Sequence, residues 1–94
     1  MNQTQPTPDP RDADAIGSWL TDRIGHYLQL PAGEIDRDAS LAAYGLDSVY
    51  AFALCGDIED LLGVPVDPTL VWDVDTVHRL ADHLVGLTAE RTAP

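Results

Sequence analysis

The side chains able to do chemistry centre on one stretch, Gly45-Leu46-Asp47-Ser48-Val49, where a connection ends and an amphipathic helical pattern begins. Asp47 suits the N-cap position, because its carboxylate can accept from the free N–H groups of the first turn. Ser48 then takes the first helical position, at the positive end of the helix dipole. An anion esterified to its hydroxyl would be stabilised there by the dipole and the orphan N–H donors. The place suits a phosphodiester. It does not suit an unaided catalytic alcohol, since no base is supplied nearby in sequence. A nucleophile elbow would need a strand before the serine and Gly two residues after it, where this chain has Tyr50.

Other candidates are weaker. His78 and His83 are five apart, so on a helix they diverge by about 140° and do not pair. His78 and Asp82 can share a face, but two ligands do not make a metal site. With His26, these histidines read as surface or boundary residues. Asp36, Asp38 and Ser40, with Asp47 in twelfth place, have the outline of a calcium loop; Leu41 stands where that loop needs Gly, and Glu is missing at its end. No metal is expected. Cys55 is the only cysteine, so no intramolecular disulfide can form. It falls on an apolar face without a basic neighbour and reads as a small buried residue.

The elements that must position Ser48 follow from periodicity. Ile16, Leu20, Ile24, Tyr27 and Leu28 recur at helical steps, with Trp19 bordering that face. They predict a first helix that begins near Asp12 to Ala15 and ends before Pro31. Ile35, Leu41, Tyr44 and Leu46 can pin the long Pro31–Leu46 connection to the body. A second helix is expected from Ser48 to about Leu62, with Gly63 just past its end. Its buried face carries Ala51, Leu54, Cys55, Ile58, Leu61 and Leu62. Val49, Phe52, Gly56, Glu59 and Asp60 project beyond the edge at Ser48, with Phe52 either half-buried or a contact residue. Asp67-Pro68 is a start signal for a short third helix over Pro68 to Trp72, whose Leu70, Val71 and Trp72 should close the core. Thr76 can cap a last helix with Val77, Leu80, Ala81, Leu84 and Leu87 inward. The expected core is Ile16, Leu20, Ile24, Leu41, Leu46, Leu54, Ile58, Leu62, Leu80 and Leu84. The fold class is all-α: four helices in a bundle, one of them short.

Residues 1–11, rich in Pro, read as a disordered lead-in; 12–87 form the domain; 88–94 read as a flexible tail. Five Arg and no Lys stand against sixteen Asp and Glu, for a net charge of −11. That balance opposes nucleic acid and anionic membrane, and favours basic partner surfaces, which Asp57, Glu59 and Asp60 would meet. With no export signal or apolar span, a cytoplasmic monomer is expected.

Gly45-Leu46-Asp47-Ser48 resembles the motif at which acyl carrier proteins receive phosphopantetheine. The similarity runs from about Ile16 to Leu87. Leu54 to Val64 is similar to the second helix of these carriers and its following turn. Asp67 to Asp73 and Thr76 to Leu84 are similar to the third and fourth helices of polyketide-type carriers. The resemblance implies a four-helix bundle of acyl-carrier type without catalytic activity of its own. It implies 4′-phosphopantetheine on Ser48, attached by a phosphopantetheinyl transferase, and an acyl group held on the arm as a thioester. It makes Asp47 the motif acid, and Val49, Phe52, Gly56, Glu59 and Asp60 partner contacts. The further partners implied are an acyl-loading enzyme (an acyltransferase or an AMP-forming ligase) and a ketosynthase or other downstream synthase enzyme. Tyr50 and Ala53 occupy positions that are often acidic in fatty-acid carriers, which favours a polyketide or hybrid polyketide–peptide pathway. The alternatives are a peptidyl or aminoacyl carrier and an unmodified helical interaction module. Asp75 departs from polyketide carriers, which commonly have Pro before the position of Thr76.

Overall fold

In the computed structural model, which describes residues 8–92, helical segments follow one another and no strand occurs among the described residues. The first seven residues of the expected lead-in and the last two of the expected tail lie outside them. Helix α1 spans Ala13–Leu28, α2 Ser48–Leu62, α3 Leu70–Val74 and α4 Val77–Thr92; short 3-10 turns at Ala32–Glu34 and Leu41–Tyr44 interrupt the first connection. The all-α expectation holds, with α3 the short helix.

Helix α1 starts where the Asp12 carboxylate accepts from the N–H groups of Asp14 and Ala15. It ends at Gln29, whose left-handed backbone (φ 60°) lets its N–H donate to the Gly25 carbonyl. Ile16, Leu20 and Ile24 are fully buried, and α4 is the helix that α1 packs against most.

The connection from Pro31 to Leu46 is held from two sides. Its Arg37 guanidinium donates to Asp14 Oδ1 at 2.9 Å and to Ser18 Oγ at 2.8 Å on α1. The corner between α3 and α4 grips it as well. Ser40 Oγ donates to Asp75 Oδ1 at 2.8 Å, Leu41 N–H to the Asp75 carbonyl at 2.6 Å, and His78 N–H to the Arg37 carbonyl at 3.0 Å. Ile35, Leu41 and Leu46 are buried anchors. Gly45, at φ 80°, turns the chain from the second 3-10 turn into Leu46 and Asp47.

Helix α2 has the expected bounds and ends at Gly63, φ 71°. Ala51, Leu54, Cys55 and Ile58 are buried. Leu62, expected in the core, is only half-buried: it lies in the last turn, beside the exposed Gly63, where packing covers one side.

Two expectations for the third helix are corrected. Asp67-Pro68 opens a turn and not the helix. The Asp67 carboxylate accepts from both the N–H and the hydroxyl of Thr69 at 2.9 Å, and its carbonyl accepts from Leu70 N–H, so helical geometry begins at Leu70. Trp72 does not close the core; it is 39% exposed, while Val71 is fully buried. Successive helical residues diverge by about 100°, and with Val71 directed into the core Trp72 falls to the exposed side of α3. Asp75 ends α3 at φ 65°, a conformation closed to proline, which agrees with the departure noted in the sequence.

Thr76 Oγ1 accepts from Arg79 N–H at 3.1 Å and caps α4. Val77, Leu80, Ala81 and Leu84 face the core. The flexible tail expected from residue 88 is corrected over 88–92, which continue α4. Thr88 is buried one turn past Leu84 and donates to its carbonyl, so the inward stripe has one more step than the apolar pattern. Among the described residues, no helix is long and apolar enough to cross a membrane.

Candidate functional site at the start of the second helix

Asp47 is extended (φ −91°, ψ 179°), and its Oδ1 accepts from Tyr50 N–H at 3.0 Å. Leu46, one residue earlier, is 3% exposed. The helix start is thereby anchored to the core while Asp47 and Ser48 face outward. Among the described residues Ser48 has no side-chain hydrogen bond, so no imidazole or carboxylate is placed to take its proton. Val49 and Phe52 are 71% and 69% exposed, and with Ser48 they line an open apolar surface. That decides between the two readings of Phe52: it is not half-buried.

The exposed side of α2 changes character along its length. Val49, Phe52 and Ala53 make the first half apolar; Gly56 is exposed at the middle; Glu59 and Asp60 make the far end acidic. No cationic residue occurs in α2. Glu59 also has a local task, for its Oε2 accepts from Val66 N–H at 2.8 Å and holds the turn after the helix.

Asp57, expected among the partner-facing charges, belongs to the packing between helices. It is half-buried, and its Oδ2 accepts from Arg23 Nη2 at 2.9 Å and from the Tyr27 hydroxyl. Burial and that carboxylate both push the Tyr27 phenol above its ordinary pKa. The Arg23 guanidinium lies 5.7 Å from the Tyr27 ring centroid, and the Tyr50 ring 5.9 Å away. Tyr50 thus ties the first turn of α2 to α1. Sequence reasoning missed this cluster because its members are 30 and 34 residues apart. The available signal was negative, since Asp57 falls on neither the crest nor the core face of α2.

The remaining candidates stay apart from Ser48 chemistry. Cys55 is buried, and its thiol is pushed up to about 11 by burial first and then by the nearby carboxylates of Glu59 and Asp67. His78 is exposed with Nδ1 3.1 Å from Asp38 Oδ1. Asp36 Oδ1 accepts from Asp38 N–H, a turn contact. Among the described residues, no group of three or more His, Cys, Asp or Glu is placed to hold a metal ion.

Residues 18–84 match the family described as the phosphopantetheine attachment site. The sequence is 40% identical over 79 aligned positions to 6-methylsalicylic acid synthase of Aspergillus terreus, covering 79% of this chain and 4% of that protein. It is 34% identical over 76 positions to the polyketide synthase ThaQ of Burkholderia thailandensis, covering 81% of this chain and 4% of that protein. The chain therefore spans only about 4% of the length of these curated relatives. Among solved structures, it is similar to a free-standing peptidyl carrier protein from Acinetobacter baumannii, with TM-score 0.80, 32% identity, and coverage of 82% of this chain and 96% of that one. It is also similar to Asl1650, an acyl carrier protein from Anabaena with a variant phosphopantetheinylation-site sequence, with TM-score 0.78, 31% identity, and coverage of 93% and 99%.

Proposed function

This chain belongs to the phosphopantetheine-attachment family of carrier domains, and we propose that Ser48 receives the arm and that the cargo is an acyl group in polyketide or hybrid polyketide–peptide assembly. The observation that carries this reading is the exposed, unbonded Ser48 hydroxyl at the first position of α2, beside the cap residue Asp47. These residues fit the group. The hydroxyl is open to an approaching enzyme, and a phosphodiester on it would sit at the positive end of the helix. When attached, the arm supplies a terminal thiol that holds an acyl group as a thioester and brings it to successive enzymes at high effective concentration.

The chain's own residues have three tasks. Asp47 keeps the first turn formed and so fixes the direction of the Ser48 hydroxyl. Val49 and Phe52, with Glu59 and Asp60 further along, offer an apolar-then-acidic surface to partners. Leu46 and the Tyr27–Tyr50 contact hold that surface still. On this reading the protein is a carrier and not a catalyst. Its partners are a phosphopantetheinyl transferase, an acyl-loading enzyme and downstream synthase enzymes such as a ketosynthase, in a cytoplasmic setting. The polyketide assignment draws on the synthase relatives. The second reading, a peptidyl or aminoacyl carrier, draws on the likeness to the Acinetobacter protein.

The test is intact-mass measurement after incubation with a purified phosphopantetheinyl transferase and coenzyme A. The expected result is a gain of one phosphopantetheine on the wild type and none on Ser48→Ala, with matching melting curves. A gain on folded Ser48→Ala would move the site elsewhere. No gain on either would favour the unmodified interaction module.

A further inference from the structure

Asp57 Oδ2 accepts from Arg23 Nε at 3.3 Å, from Arg23 Nη2 at 2.9 Å and from the Tyr27 hydroxyl. Among the described residues, these are the side-chain hydrogen bonds that join α1 to α2. Tyr27 also meets α2 at a second point, where its ring lies 5.9 Å from that of Tyr50. Tyr50 and Asp57 are seven positions apart, so they fall on one side of α2, about 10 Å from each other along its axis. Two held points on one side of a helix set its rotation as well as its distance from its neighbour. Packing sets that rotation weakly at the Ser48 end. In the first turn of α2 the buried side chain is Ala51, and the first large one is Leu54. A methyl group makes few of the contacts that a buried leucine makes. Helix α1, for its part, gives most of its packing to α4.

Tyr50 connects this tie to Ser48. Its N–H is the donor that the Asp47 carboxylate accepts, so one residue carries both the cap and the ring contact. Tyr50 and Ser48 are two positions apart and project about 200° apart. With Tyr50 held against Tyr27, Ser48 is turned away from α1. Asp47 fixes the hydroxyl within α2; a contact to another element is needed to fix α2 within the molecule. That matters for an enzyme that esterifies Ser48. A footprint of about 800 Å² is broader than a single helix about 10–12 Å across, so the enzyme grips α2 together with its neighbours. The first turn must then stand still relative to them. In the reaction the Ser48 oxygen bonds to the pantetheine-bearing phosphorus of coenzyme A as the pyrophosphate bond to 3′,5′-ADP breaks, and the serine proton leaves to solvent. Attack and departure are in line, and a misplacement of about 1 Å can cost about a hundredfold in rate.

We propose that Tyr27 is a positioning residue for the modification of Ser48. Holding Tyr50 with its ring and Asp57 with its hydroxyl, it sets the rotation of α2 and so the direction in which the Ser48 hydroxyl meets the transferase. The proposal rests on attachment at Ser48.

The experiment compares wild type, Tyr27→Leu, Tyr27→Phe and Ile24→Val as full chains in single turnover. One purified transferase and coenzyme A are in excess, and phosphopantetheine gain is followed by mass. Varying the transferase gives a maximal rate and a half-saturating concentration. Tyr27→Leu removes both contacts and should lower the maximal rate about tenfold. Its half-saturating concentration should stay within about twofold, since orientation acts at the reacting atoms and not on docking. Tyr27→Phe keeps the ring against Tyr50 and should lose only about threefold in maximal rate. Ile24→Val weakens α1 at a fully buried site, so it should melt lower yet react at the wild-type rate. Circular dichroism verifies folding at the assay temperature. A wild-type maximal rate in folded Tyr27→Leu overturns the proposal, as does a loss confined to the half-saturating concentration or an equal loss in Ile24→Val. Should Tyr27→Leu not fold, Tyr27→Phe decides, and a wild-type maximal rate there overturns the proposal. Each of these leaves the Ser48 reading intact; an unmodified wild type overturns both.

Discussion

Ser48 and Val49 are adjacent, both exposed, and assigned separate tasks, so substitution can part them. Val49→Asp should leave the bundle folded, because Val49 is exposed, and should still permit some attachment at Ser48. It should impair transfer of cargo to or from a partner enzyme, where a carboxylate pressed into an apolar contact lacks a pair. Melting, phosphopantetheine incorporation by mass and cargo loading, measured together, check this; normal loading on the folded variant would place the docking surface elsewhere. Cys55 gives the second test at this scale. Its folded thiol titrates near 11, against 9.0 for the ordinary group. Above pH 9 the unfolded chain sheds a proton that the folded chain keeps, so stability falls as pH rises from 9 towards 11. Tyr27, also raised, acts in the same direction above a pH of about 10, where the unfolded phenol begins to lose its proton. Denaturant melts across this range should show the decline, and Cys55→Ala should flatten its lower part.

Between elements, the decisive contact is the corner at Asp75. Its left-handed backbone ends α3, its carbonyl accepts from Leu41 and its carboxylate from Ser40, so one residue joins the returning connection to the start of α4. Asp75→Pro would demand a φ near −65° and remove the N–H that donates to the Val71 carbonyl. A loss of more than about 1 kcal/mol in urea melts is expected. An unchanged midpoint would mean that the corner has a second conformation as good as this one. The Arg23–Tyr27–Asp57 cluster does similar work between α1 and α2, which is why a carboxylate that looked free for partners is not.

For the molecule as a whole, the net charge of −11 governs approach. Association with a basic partner surface should slow as salt rises, because exposed charges are screened beyond about a Debye length. Asp60→Arg is the cleaner reversal: changing Glu59 would also release the turn held through Val66. Stopped-flow association with the transferase should show Asp60→Arg slower at low salt and the difference narrowing at high salt. Rates indifferent to both salt and reversal would leave Val49 and Phe52 as the determinants.

What the sequence by itself determined is whatever rests on short-range physics. The bounds of α2 follow from Asp47 and Gly63, a cap and a left-handed stop. The buried face of α2 follows from helical spacing, and the exposure of Ser48 from its place one step past the cap. Tertiary structure decided where spacing was silent. Phe52 and Trp72 are both large and apolar, and only the surrounding helices settle that neither is covered by the bundle. Asp57 was consumed and Asp60 left outward because α1 presents Arg23 and Tyr27 to one side of α2 only. Asp67 was drawn into a turn by Thr69, and the last helix ran on because Thr88 found cover one turn beyond Leu84. Periodicity states which residues share a face; the neighbours that bury a face, or bind a charge upon it, come from distant parts of the chain.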